Sequence, residues 1–315
     1  MIRALLDRLA ELTVALSYLK TGFLLRKAWF SELRTDMAGE VVVVTGANSG
    51  VGFAAARRLA ELGATVVMVC RDAQKAADAA ETIREALPEA HLEIELCDLS
   101  LVKEVRQLAK RLTRFSDIHA LVNNAGVLLP TRSETAEGLE STFATNVLSG
   151  FLLTWLLKGR LARASGIVVH MTSGGMYTQK LRVDDLQTRQ RDFNGVRVYA
   201  QTKRAQVELN RRWQAELADL GVASVCTHPG WADTPGVASA LPRFHRLFGS
   251  LLRTPEQGAD TAIWLANLRP EERPNGLLFF DRRSRRTHVF PWTRIGADDR
   301  EQLWRECKVL TGVDS

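Results

Sequence analysis

EVVVVTGANSGVGFAAARRLAELG, residues 40 to 63, decides how the chain folds. Four consecutive valines form an apolar run that does not alternate and is short for a helix, as a strand buried on both faces reads. Glycines 46, 50 and 52 follow, and FAAARRLAELG then takes up helical spacing and stops at Gly63, a C′ glycine. Such a turn lets backbone approach a pyrophosphate, with the unpaired N–H groups and positive end of the next helix beside it. The spacing is T-G-x-x-x-G-x-G, not G-x-G-x-x-G. Glycines alone also serve loops for steric reasons; the flanking strand and helix make the nucleotide reading specific.

The alternation continues outward. ATVVMVCRD reads as a second strand, AQKAADAAETIREAL as a helix, HLEIELCDLS as a third strand and VKEVRQLAKRLTRF as a helix. IHALVNNAG is a fourth strand, residues 137 to 158 a long helix and GIVVHMTSGG a fifth strand. A helix through YAQTK runs to about Leu220, before VASVCTHPG as a sixth strand. TPEQGADTAIWLA opens a helix with Thr254 as cap, Pro255 at N1 and Gln257 at N3, and GLLFF is a last strand. This rhythm implies an α/β fold, a doubly wound parallel sheet of Rossmann type. The Rossmann-type domain would span residues 38–290, with an N-terminal helical extension at 1–37 and a tail and amphipathic helix at 291–315.

With 315 residues, 46% hydrophobic and 25% charged, the composition is that of an ordinary globular protein. The net charge of +6 lies within the range of plain solubility. No zinc-type or RNA-type motif accompanies it, so nucleic acid is not an expected partner. Cys70, Cys97, Cys226 and Cys307 lack metal-ligand spacing, and buried, reduced thiols point to the cytoplasm.

Within residues 1–37, LLDRLAELTVALSYLKTGFLLRKAWF carries leucines 5, 6, 9, 12, 16 and 19 at helical spacing, without the features of a signal peptide. Two readings stand. One is a helix packed on the body of the protein or on a second copy in a homo-oligomer. The other is an in-plane, peripheral membrane contact, with Phe23, Trp29 and Phe30 near the interface and Arg26 and Lys27 near lipid phosphates.

In VYAQTKRAQ, residues 198 to 206, Tyr199 stands one helical turn before Lys203. The bland reading is an exposed aromatic and a solvated lysine. The chemical one is that the i,i+4 step puts both on one face, where the ammonium favours the phenolate and lowers the phenol's pKa.

TGANSGVG, CDLS, NNAG, Asn146 in FATNV, Ser173 in MTSGG, YAQTK and HPGWADT occur in that order. In this the chain resembles the short-chain dehydrogenases/reductases over roughly residues 38–285. The resemblance implies an oxidoreductase passing hydride between a nicotinamide and a carbonyl or alcohol, with Tyr199 as acid/base, Lys203 beside it and holding the nicotinamide ribose, Ser173 on the substrate oxygen, and Asn146 organising a proton path. Cofactor contacts would come from Gly46, Asn48, Ser49, Gly50, Val51, Gly52, Asp98, Asn124, Ala125, Gly126, Pro229, Gly230 and Thr234 together with Tyr199 and Lys203. No acid occupies the tip of the second strand, and Arg71 follows Cys70 there. A guanidinium at that point suits a 2′-phosphate, so NADP(H) is expected over NAD(H), unless Asp72 pairs with Arg71. The apolar content of residues 235–253, the substrate-covering segment, suggests a lipophilic small-molecule substrate. The charged loop between Ser173 and Tyr199 suggests a solvated rim, and DRRSRRTH, residues 281 to 288, a solvated turn. The other class of function is a non-catalytic NADP(H)-binding sensor or scaffold on the same fold.

Overall fold

The computed structural model describes residues 17–274 and 276–313. Strands β1 (Val41–Thr45), β2 (Thr65–Cys70), β3 (Leu92–Leu96), β4 (Ala120–Asn123), β5 (Ile167–Met171), β6 (Ala223–Thr227), β7 (Leu278–Phe280) and β8 (Arg283–Ser284) form one sheet. Its order is β3-β2-β1-β4-β5-β6-β7-β8, parallel except for the last pair. This is the doubly wound Rossmann-type sheet that the alternation implied.

The valine run is explained by the two faces of β1. Val42 and Val44 enter one core layer, with Val66, Met68 and Val122, while Val43 enters the other with Val67 and Leu121. Successive residues of a strand point to opposite faces, so a strand covered twice must be apolar at every position. Helices α2 (Gly50–Glu61), α3 (Ala73–Ala86) and α9 (Pro255–Asn267) cover the first face. The second is covered by α4 (Val102–Leu112), α5 (Ser149–Arg163), α6 (Gly195–Ala218) and α10 (Ala297–Thr311). Short helices α7 (Pro235–Ala240) and α8 (Pro242–Phe248) lie in the segment after β6.

The helix expected over residues 137 to 158 begins later. Residues 135 to 138 form a turn with Gly138 at φ 75°, and Glu140 then accepts from Thr142 N and Phe143 N. One helical turn, Ser141–Phe143, passes through a π-helical stretch, Ala144–Leu148, into α5. Asn146 lies in that stretch. Thr254 makes the expected capping box with Gln257 at the start of α9. The antiparallel β8 was not anticipated. It follows a two-residue hairpin in which Asp281 and Arg282 both have positive φ, 50° and 56°.

Most of the leucine series of the extension, Leu5 to Leu16, lies outside the described residues. Its described part includes α1 (Lys20–Lys27), which meets the body through Phe23, under the Arg253 guanidinium, and through Arg26, bonded to Asp281. Phe23 and Arg26 are therefore used inside the protein and not against lipid, whereas Leu24 and Leu25 face outward. All four cysteines are free and buried. Among the described residues no helix is long and apolar enough to cross a membrane.

Candidate active site

The strand order reverses between β1 and β4, which opens a crevice at their carboxyl ends. The glycine turn sits there. Gly46 and Gly50 have φ of 66° and 55°, conformations that side chains rarely adopt. Gly52 admits no side chain, since a Cβ would lie 2.2 Å from Gly46 O. Ser49 at the N-cap of α2 makes no side-chain cap, so the first-turn N–H groups of Val51 and Gly52 are left for an anion.

Thr45 ties this turn to the end of β4. Its Oγ1 accepts from Asn124 N and Ala125 N, each at 3.0 Å, while Asn124 Nδ2 donates to Thr45 O at 2.8 Å. The N–H groups of Asn124 and Ala125 and the Asn124 amide nitrogen thus face the protein, a clamp that the motif alone did not reveal. Asp98 holds Ser100 through Oδ1, at 2.9 Å to N and 2.7 Å to Oγ. Thr234 caps α7 by accepting from Val237 N, and its methyl would meet a Cβ on Gly50 at 3.1 Å, so the loop after β6 touches the glycine turn. Gly230, at φ 71°, and Pro229 begin that loop.

Arg71 is exposed at the tip of β2. It does not pair with Asp72, whose carboxylate accepts from Lys75 N at 3.0 Å and caps α3. Among the described residues Arg71 forms no ion pair, which leaves its guanidinium available.

Ser173, Tyr199, Lys203 and Asn146 come together at the end of β5. Asn194 caps α6 by accepting from Arg197 N, and Tyr199 and Lys203 lie in the following turns. Lys203 is 2% exposed; its Nζ donates to Met171 O at 2.8 Å and lies 5.5 Å from the Tyr199 ring centroid. A Cβ on Gly126 would meet Lys203 Nζ at 3.2 Å and Asn146 Oδ1 at 3.3 Å. The end of β4 thus closes over the same group. Asn146 is fully engaged: Oδ1 accepts from Val127 N at 2.7 Å, and Nδ2 donates to Val127 O and Thr202 Oγ1 at 3.0 Å each. Its main-chain oxygen accepts from Gln206 Nε2 at 2.7 Å.

The electrostatics differ from the simple i,i+4 expectation. Burial raises the Tyr199 phenol above its ordinary value, and the Ser173 side chain opposes this as a hydrogen-bonding partner. Burial brings Lys203 down to about 7. Burial is the larger of the two causes, so the phenol lies above its ordinary value, and the hydrogen bond of Lys203 goes to Met171.

Residues outside the motifs hold this group in register. Thr172 Oγ1 donates to Lys203 O at 2.8 Å. Arg204, fully buried, donates to Met176 O through Nε at 3.1 Å and Nη2 at 2.7 Å, and to Thr287 O through Nη1 at 2.6 Å. It therefore fastens the turn after Ser173 and the C-terminal segment to α6. DRRSRRTH is not a solvated turn: Asp281 is buried, Arg282 pairs with Asp260 at 2.7 Å, and His288 meets the buried Glu208 at 3.2 Å. His228 is a neutral core imidazole. It stacks on Phe280 at 4.1 Å, and burial with Arg253, Arg285 and Arg26 holds its pKa well below 6.5.

Residues 235–253, expected to cover the substrate, are less inward-facing than their composition suggested. Phe244 packs on Trp231 at 5.2 Å, but Leu247, at 75% exposure, and Leu251 point to solvent. The rim between Ser173 and Tyr199 is charged. It borders a cleft of about 270 Å³ walled by Lys180, Arg182, Asp185, Arg191, Arg197 and Trp292, among others.

A glycine turn at the switch point and a Ser–Tyr–Lys group at the neighbouring strand end define a dinucleotide-binding α/β protein. The short chain dehydrogenase family model matches residues 40–243. The chain is 40% identical over 291 residues to dehydrogenase/reductase SDR family member 12 of Bos taurus, covering 90% of each. It is 36% identical over 282 residues to retinol dehydrogenase 12 of Homo sapiens, covering 88% of each. The solved Pseudomonas aeruginosa RhlG/NADP active-site complex aligns with TM-score 0.61 at 25% identity, over 76% of this chain and 93% of that one. The chain belongs to the short-chain dehydrogenase/reductase family, and is an NAD(P)-dependent oxidoreductase acting on CH–OH and C=O groups.

Proposed function

We propose that the protein is an NADP(H)-dependent reductase or dehydrogenase of a lipophilic carbonyl/alcohol pair, with Tyr199 as its acid/base. The observation that carries this reading is the convergence of Ser173, Tyr199 and Lys203 at one strand end, under Gly126 and beside the glycine turn. A nicotinamide held there would supply or accept the hydride. Ser173 Oγ orients the substrate oxygen by hydrogen bonding, and Tyr199 Oη gives that oxygen a proton in reduction or removes one in oxidation. Lys203, brought to about 7, exchanges protons near neutrality and refills the phenol. Asn146, locked between Val127 and Thr202, keeps the π-helical stretch beside Lys203. Val51 and Gly52 N–H groups would hold the pyrophosphate, with Asn48 in the same turn and Asp98, Asn124 and Ala125 along the adenosine side. Pro229, Gly230 and Thr234 would border the nicotinamide. The unpaired guanidinium of Arg71 supports a 2′-phosphate and hence NADP(H).

Domain limits at residues 38 and 290 follow the motifs, while contacts of residues 17–37 cross the first and α10 packs across the second. Exposed Leu24 and Leu25, flanked by Lys20 and Lys27, support a peripheral membrane contact.

The test is NADPH consumption across aldehydes, ketones, steroids and retinoids. Turnover should fall by ~10²-fold or more in Tyr199→Phe with NADPH binding kept. NADPH binding without turnover on any carbonyl would support the sensor instead.

A further inference from the structure

The described part of the N-terminal extension reaches the candidate active site. Tyr18 is 8% exposed and lies on the backbone that follows Ser173: a Cβ on Gly174 would come within 2.4 Å of its ring. The ring also meets His228, Phe280 and Trp231 edge-on, with centroids at 4.9, 5.3 and 5.8 Å. Its main chain is bound to the same side, since Tyr18 O accepts from Trp231 N and from Arg253 Nε, both at 3.0 Å. Tyr18 therefore bridges the loops that leave β5 and β6, the two that carry Ser173 and Gly230.

The segment is fixed in place by buried charge. Asp281 accepts from Arg26 Nη1 at 2.8 Å and from Arg253 Nη1 and Nη2 at 2.6 and 2.9 Å. Arg253 Nη2 also donates to Ser17 O at 2.7 Å, and Arg26 Nη2 to Ser17 Oγ at 3.0 Å.

We infer that Tyr18 is a positioning residue for Ser173, so that the N-terminal extension is a working part of the substrate site. Its ring backs the turn at Ser173–Gly175, where Ser173 Oγ accepts from Gly175 N at 3.3 Å. Arg204 holds the far end of that turn, at Met176 O. Tyr18 holds the near end. Removing the ring leaves the turn free to move outward and takes Ser173 Oγ out of register with Tyr199. A displacement of ~1 Å at such a group costs up to ~10²-fold in rate. The inference rests on the role proposed above for Ser173.

The experiment uses the full chain and a carbonyl that the wild type reduces, with NADPH binding titrated in parallel by nucleotide fluorescence. Tyr18→Ala should lower kcat by ~10- to 10²-fold with the NADPH Kd unchanged, and Tyr18→Phe, which keeps the ring, should stay near the wild type. In a Ser173→Ala background Tyr18→Ala should cost almost nothing further, whereas a general structural role would add its full effect. Should Tyr18→Ala fail to bind NADPH, Tyr18→Leu takes its place with the same outcomes. An unchanged kcat in Tyr18→Ala, equal losses in Tyr18→Ala and Tyr18→Phe, or additive losses with Ser173→Ala would overturn the inference while leaving the function standing. A wild type inert toward every carbonyl would overturn the catalytic reading, and the inference with it.

Discussion

Replacing Asp281 by Asn isolates the charge that holds the extension. The residue has φ 50°, a conformation Asn tolerates as well as Asp, so the hairpin itself is not strained. Both Asp281 and its partners Arg26 and Arg253 are 1% exposed. The carboxylate accepts three N–H groups, two of them from one guanidinium. An amide offers a single oxygen and turns an NH2 donor toward the remaining guanidinium. Two buried cations then lose this negative charge. Breaking a buried pair from one side costs about 3–5 kcal/mol, a large share of the ~5–15 kcal/mol that keeps a protein folded. Stacking of the Arg253 guanidinium 4.5 Å over Phe280 persists and offsets part of this. With a urea slope of ~3 kcal/mol/M, the midpoint should fall by on the order of 1 M. The control is Glu61→Gln, which breaks the exposed pair with Arg58 and should cost less than ~0.5 kcal/mol. Adding Arg26→Met to Asp281→Asn should restore part of the loss, because one of the two cations that face the amide is gone. Equal urea midpoints for Asp281→Asn and Glu61→Gln would refute the reasoning.

Arg71→Ala should raise the KM for NADPH by ~10-fold, the low end for a charge-assisted contact at an exposed site, and leave the KM for NADH nearly unchanged; equal shifts would remove the 2′-phosphate assignment. His170 is buried, and burial together with Lys203 lowers it from 6.5 to about 4. The unfolded chain therefore binds a proton that the folded one refuses between those values, and stability should fall as pH drops from 6.5 toward 4, by about 3 kcal/mol. Melting temperatures of wild type and His170→Gln across that window test this: the variant, though less stable, should show the shallower slope, and parallel slopes would contradict it.

How far the sequence could be read depended on the range of the contacts involved. The valine run of β1 was legible because burial on two faces leaves a local, unbroken apolar pattern. The capping box at Thr254 was equally local. The start of α5 was misjudged because the turn at Gly138 and the Glu140 cap compete with a helical pattern running through them. The π-helical stretch at Asn146 shows no periodicity of its own. Arg204 sits beside Lys203 and looks like a solvated cation, yet it is buried because Thr287, 83 residues on, needs a donor. Arg26 and Asp281 are 255 residues apart. No spacing rule connects them, and the arginine-rich stretch looked solvated because the partners of Arg282 and His288, Asp260 and Glu208, lie on other elements. The spacing did bring Lys203 to 5.5 Å from the Tyr199 ring, but the phenol is raised because burial, which spacing does not reveal, is the largest influence on it.

The packing of Tyr18 and Arg26 changes what trimming this protein would mean. A chain shortened to begin at the first strand would contain every motif by which its family is recognised. It would also have an open wound beside the Ser173 loop, with Trp231 and Phe280 stripped of their cover and the carboxylate of Asp281 left with one guanidinium instead of two. Lipid binding by the extension is better probed by altering Leu24 and Leu25 in the intact protein, since amputation would injure the catalytic body along with any anchor.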